Sequence, residues 1–180
     1  MPVTFQKADR ELCQNVQQVM KTYHAGLHDA EVTVDVLLAY GPVDRAGEIT
    51  GPAIKRHGHP CLGQIRVLPL KDRVAGRADA EMVLDGDHVD EWPYEQLLAI
   101  IDHELTHLEL QVNDHGLVKR DDQDRPMLRL REHDHEFGWF DSVAQRHGAC
   151  AVEVQQATQL LEQDELRQLY LPGMETEPAA

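Results

Sequence analysis

Apolar residues recur three or four positions apart through residues 6 to 28, at Leu12, Val16, Val19, Tyr23 and Leu27, and this spacing predicts a first helix. The period then drops to two. In "EVTVDVLLAY", Val32, Val34 and Val36 alternate with polar residues before a continuous apolar end, which predicts a strand. Residues 41 to 60 are rich in Gly, Pro and charge and predict a long loop. "LGQIRVLPL" and "ADAEMVLDG" predict two more strands, joined by "KDRVAGR" with a turn at Gly76. Helical spacing returns after Trp92. Pro93 suits a first helical turn, where its missing N–H costs little, and the helix is predicted to run to Val112 or Asn113. Asp114 to Pro126 is polar and predicts a loop. A further helix is predicted from Arg131 or Glu132 to His147, with Phe137, Phe140, Val143 and Ala144 on one side and Gly148 as its stop. "CAVEVQQATQLLEQDELRQLYL" predicts a last helix.

This order describes a small α+β domain: a mixed sheet of three or more strands packed against an N-terminal helix and the central helix, with further helices following. At 180 residues and 42% hydrophobic composition, the chain suits a single domain over 1–171 and a flexible tail over 172–180. Composition narrows the function classes. No apolar run approaches the roughly 20 residues of a membrane span, and Met1 to Asp9 lacks the order of a secretory signal. Cys13, Cys61 and Cys150 are too scattered for a disulfide framework and suit a reducing compartment, so a cytoplasmic location is expected. A formal net charge of -15 with no basic cluster argues against nucleic acid as a partner. It fixes no oligomeric state. Eleven histidines remain to be explained, several of them grouped at 103 to 115 and 133 to 135.

The first group contains "IDHELTHLEL". His103 and His107 stand one helical turn apart on one side, close enough to share a metal ion. At about 100° per residue, Leu97, Leu98, Ile101, Leu105, Leu108 and Val112 gather on the opposite face, so the helix can dock through leucines while its histidines face a cleft. Glu104 points between cleft and core, within reach of water beside a metal. Neutral imidazoles with one coordination position left open favour zinc. The plainer alternative is a polar helix face. The third ligand has to come from elsewhere, and "REHDHEFGWF" offers His133, His135 and Glu136. His133 is preferred, because a helix that packs Phe137 would present it from the first turn. His135 would point about 200° away from His133 on a helix, so the two are not expected to act together. Asp134 is placed to orient a ligand histidine.

"RADAEMVLDGDHVDEWPYEQLLAIIDHELTHL", followed by "HDHEF" and an apolar helix ending in "RHG", resembles the phage and prophage metallopeptidase family over roughly Val32 to Gly148. It is more distantly similar to SprT-type zinc proteins. The resemblance implies a compact zincin-like fold in which His103 and His107 bind zinc and Glu104 is the catalytic glutamate. In SprT-type proteins the third histidine is followed four residues later by an aromatic, which maps onto His133 and Phe137; the glycine that commonly follows that histidine is Asp134 here.

The expected activity is zinc-dependent hydrolysis of peptide bonds, with Glu104 as general base toward a metal-activated water. A peptide or protein substrate is expected along a strand edge, for which Ala80 to Leu84 is the candidate. His88 and His115 are minor candidates for stabilising the oxyanion. Two other readings compete. A deformylase-like metal amidohydrolase would use Cys61 with the histidine pair, although Thr106 stands where that motif has aspartate; His57, His59 and Cys61 could also form a separate metal patch. A non-catalytic zinc-binding or interaction domain would need no glutamate at position 104.

Overall fold

Asp9 starts the first helix. Its carboxylate accepts a hydrogen bond from the Leu12 N–H at 2.8 Å and caps α1 (Arg10–Tyr23), whose Leu12, Val16, Val19 and Met20 are buried. The computed structural model describes residues 2–56, 58–133, 141–150, 154–155 and 157–159. The single helix predicted over 6 to 28 is instead a strand and two helices: β1 (Thr4–Lys7), α1, and a short α2 (Ala25–Asp29) after a break at His24. All four β1 residues are exposed, so the strand has no inward-outward alternation to betray it. Tyr23, expected on the buried stripe, is exposed, and Met20 fills the inner position.

The main sheet has the order β1-β2-β6-β5, with β2 (Val34–Tyr40), β5 (Gly63–Val67) and β6 (Ala80–Asp85) at the three predicted strands. The two central strands, β2 and β6, run parallel, and the outer strands pair antiparallel to them. Alternation along β6 divides the core. Ala80, Met82 and Leu84 join the cluster formed with α1 and the central helix α4 (Tyr94–Thr106), whereas Val83 packs on the other face with Ala39, Ala53 and Ile54. Between β2 and β5, the predicted loop contains a Val43–Ile49 bridge and a small ladder of β3 (Lys55–Arg56) with β4 (His59–Pro60). "KDRVAGR" carries a short helix, α3 (Leu70–Val74), and Gly76 follows it with φ of 91°.

The central helix, α4, spans Tyr94–Thr106. The chain then turns into β7 (Leu108–Leu110), which pairs antiparallel with β8 (Leu128–Leu130). The helix predicted to reach Val112 therefore stops at His107, and the predicted loop of 114 to 126 is folded back on itself. Continuing the helix would require the His107 carbonyl to accept from Gln111. Instead it accepts from the Arg131 N–H at 2.7 Å, while the Gln111 N–H donates to Met127. The competing ladder wins because its partner strand is supplied from a distance, which local periodicity cannot report.

Three turns in the chain share one construction. Asp44, Asn113 and Asp121 each accept, through a side-chain oxygen, the N–H groups two and four residues ahead. In each turn the residue three ahead takes a positive φ: Gly47 at 89°, Gly116 at 76° and Asp124 at 61°. The second and third of these fold residues 111 to 127 tightly enough to return the chain beside its own start.

The chain divides into two compact units, Met1–Glu132 and His133–Ala180. In the second, α5 (Asp141–His147) ends in a single 3-10 turn at Gly148–Cys150, and 154–155 and 157–159 are helical. Phe137 and Phe140, most of the predicted last helix and the tail over 172–180 lie outside the described residues. Among the described residues, no helix is long and apolar enough to cross a membrane.

Candidate metal centre

Ile101 and Leu105 are fully buried and fix α4 against the sheet. On the same helix His103 is exposed, and Glu104 and His107 are buried. His107 is the C-terminal cap residue but keeps helical angles, φ −69° and ψ −15°, so the one-turn spacing of the pair survives the end of the helix. The two rings meet nearly edge to face, with centroids 5.1 Å apart and planes at 83°. His24 Nε2 donates to Asp102 Oδ1 at 2.7 Å, tying the α1–α2 junction to the residue just before His103.

The strand that ended the helix also orients its last histidine. His107 Nδ1 lies 2.7 Å from the Arg131 carbonyl oxygen, which can only accept, so the proton is on Nδ1 and the Nε2 lone pair is the one available to a cation. His107 and Arg131 are thus joined twice, through the backbone and through the imidazole. His133 follows Arg131 in the chain, and one ligand nitrogen from each of His103, His107 and His133 lies within 4.8 Å of the others. Among the described residues this is the one group of three or more potential metal ligands. His133 lies just beyond β8, and the helix that sequence spacing predicts to present it continues over 134–140, outside the described residues. His135, Glu136 and Asp134 lie outside the described residues.

The donor set fits a divalent ion of intermediate softness. Three imidazoles are one of the ligand sets that divalent ions such as zinc take, and the carbonyl on Nδ1 of His107 is the kind of outer partner that such a ligand usually has. Glu104, the residue after His103, is buried on the sheet side of α4. Its Oε1 and Cγ lie against Gly63, at the start of β5, next to Leu84. Burial pushes the Glu104 carboxyl up to about 7, with the Arg56 guanidinium acting weakly in the opposite direction.

Cys61 does not join the histidines. It is half-buried at the entry to β5, its thiol pushed up by burial and then by the Glu104 charge, and the metal-binding group contains no cysteine. Nor do the described residues form a patch around His59 and Cys61; His57 lies outside them. His88 is half exposed and donates from Nδ1 to Asp85 at 3.0 Å, a bond that raises its pKa. His115 is exposed at a turn tip. The strand edge expected at Ala80 to Leu84 is not an edge. That segment is β6, wholly buried and bonded on both sides, and the outer strand that reaches Glu104 is β5. Sequence reasoning missed two contributors: the Arg131 carbonyl, for which a backbone atom leaves no signal, and Gly63, for which a glycine inside a strand pattern was the available clue.

No curated protein and no solved structure matches the chain. A family model described as "Putative phage metallopeptidase" matches residues 4–162, a span that includes β1, the whole sheet, α4 and all three clustered histidines. Membership of that family implies a metal ion, and the three histidines are residues that could hold it; the chain belongs to the phage metallopeptidase family.

Proposed function

We propose that this protein is a zinc-dependent peptidase in which His103, His107 and His133 hold the ion and Glu104 handles the proton. The observation that supports the reading most is the convergence of three imidazoles at a helix whose Glu104, directly after His103, is buried and makes no salt bridge among the described residues. A zinc ion held there supplies Lewis-acid activation of water and of the scissile carbonyl. The rest falls to the chain. Glu104 accepts a proton from the attacking water and returns it to the departing amine nitrogen as the C–N bond breaks. Gly63, against which that carboxylate lies, covers one side of it, and the carboxylate is buried. The Arg131 carbonyl keeps His107 in the tautomer that presents Nε2. β5, at the outer edge of the sheet and against Glu104, is the strand along which an extended peptide would add its own backbone hydrogen bonds.

The test couples metal content to turnover. Purified protein should carry one zinc per chain by elemental analysis and should cleave members of a peptide library read by mass spectrometry. His133→Ala should lose most of the zinc and Cys61→Ser none. A fully zinc-loaded protein that leaves the whole library intact would favour a non-catalytic zinc domain instead.

A further inference from the structure

Gly63 occupies a position that does not need a glycine for its backbone. It lies in a regular ladder opposite Leu84 and is absent from the residues with positive φ. A glycine inside a strand weakens it, so the reason for it has to be space. A Cβ on Gly63 would stand 3.0 Å from Glu104 Oε1, 3.1 Å from Glu104 Cγ and 3.1 Å from Leu84 Cδ2. All three distances are below ordinary van der Waals contact. Leu84 and Glu104 are both buried, so a side chain at 63 would force each to give by a few tenths of an ångström, and two of the three close atoms belong to Glu104.

We propose that Gly63 is a positioning residue for Glu104: the gap left by its missing side chain is the seat of the Glu104 carboxyl. The strand best placed to bind substrate would then also set where the proton acceptor stands. The functional part of this inference rests on the peptidase reading above; the seat itself does not. An alanine at 63 displaces the carboxyl by a few tenths of an ångström, none of the three atoms it would meet first belongs to a histidine, and misplacement by about 1 Å can cost about 100-fold in rate.

Two measurements on the full chain test it. In zinc-loaded protein, Gly63→Ala should keep its zinc and hold KM within about threefold while kcat falls by about tenfold or more. An unchanged kcat with zinc retained would overturn the proposal. The second measurement needs no activity. The shift in Tm caused by Gly63→Ala in metal-free protein should be several degrees more favourable in a Glu104→Ala background, where the seat has been vacated, than in the native background. Equal shifts in the two backgrounds would overturn the seat. If Gly63→Ala alone does not fold, recovery of folding in Gly63→Ala/Glu104→Ala supports the seat, and failure of both variants counts against it. A wild-type protein that carries zinc and cleaves nothing would remove the peptidase reading, while the thermal cycle would still decide where Glu104 is held.

Discussion

Glu81 and Glu104 are each 5% exposed, one on the central strand β6 and the other on the helix α4, yet the protein treats the two carboxylates in opposite ways. Burial raises the Glu81 carboxyl, but Arg66 Nε at 2.7 Å and the Arg77 guanidinium outweigh that effect and hold it below the usual carboxylate range. Asp79, 1% exposed, is served more fully still. It accepts from the Thr33 N–H and hydroxyl and from Arg73 and Arg125. Among the described residues no cation makes salt-bridge contact with Glu104, whose carboxyl lies against Gly63 and feels the Arg56 charge only at a distance. A fold able to place two guanidiniums on a buried carboxylate elsewhere has left this one, on the helix of His103 and His107, without a salt-bridge partner. On the proposed function, that contrast separates a carboxylate used for architecture from one available for chemistry.

The contrast breaks first in turnover. With zinc bound, Glu104→Gln should lower kcat by about 10²–10⁴-fold while keeping its metal, and Glu81→Gln should leave kcat within a few-fold of wild type. Steady-state kinetics with zinc content measured on the same samples checks both, and comparable losses in the two variants would erase the distinction. Asp79 marks the architectural extreme. Asp79→Ala leaves the buried Arg73 without its closest partner and unties the turn at Asp121 to Arg125, and should cost about 3–5 kcal/mol of unfolding free energy in urea titrations without changing zinc affinity in the folded fraction.

Metal-free protein should show the contrast as opposite pH dependences. The Glu104 carboxyl moves from 4.5 to about 7 on folding, so the folded state binds the extra proton between those values and stability falls as pH rises through the window. Above about pH 7 the full penalty is present, on the order of 3 kcal/mol from 1.36 kcal/mol per pH unit. Glu104→Gln removes it. The metal-free variant should therefore be more stable than wild type by up to about 3 kcal/mol at pH 8 and nearly equal to it at pH 4. A pH-independent difference would mean that Glu104 is not held in the environment described.

The sequence revealed these features unevenly, for physical reasons. The inner face of α4 was legible because Ile101 and Leu105 repeat with the helical period, and the same period placed His103 and His107 together. The end of α4 was not legible. Leu108 and Leu110 suit a helix as well as a strand, and the choice was made by Leu128 and Leu130, distant in sequence. That one misplaced boundary also hid how His133 arrives: it was recognisable as a ligand type, but it follows a strand closed on His107 by Arg131. β1 was invisible for the opposite reason, since every one of its side chains is exposed and no pattern marks an inner face.

Glu81 provides the smallest of the expected effects and the sharpest control. Arg66 and Arg77 are both more than one-third exposed, so water already solvates their outer faces and the ion pairs are worth less than the buried position of Glu81 suggests. Glu81→Gln keeps the shape of the side chain and exchanges two charge-assisted hydrogen bonds for neutral ones, which should cost about 1–2 kcal/mol at pH 7. The pH dependence has the reverse sign to that of Glu104. The folded carboxyl lies below its ordinary value of 4.5, so its contribution is present above that value and disappears as pH falls through the folded-state pKa. Unfolding free energies of wild type and Glu81→Gln should therefore converge in acid and separate above pH 5. If they converge at high pH instead, Glu81 is as uncompensated as Glu104, and the assignment of one carboxylate to structure and the other to proton transfer fails.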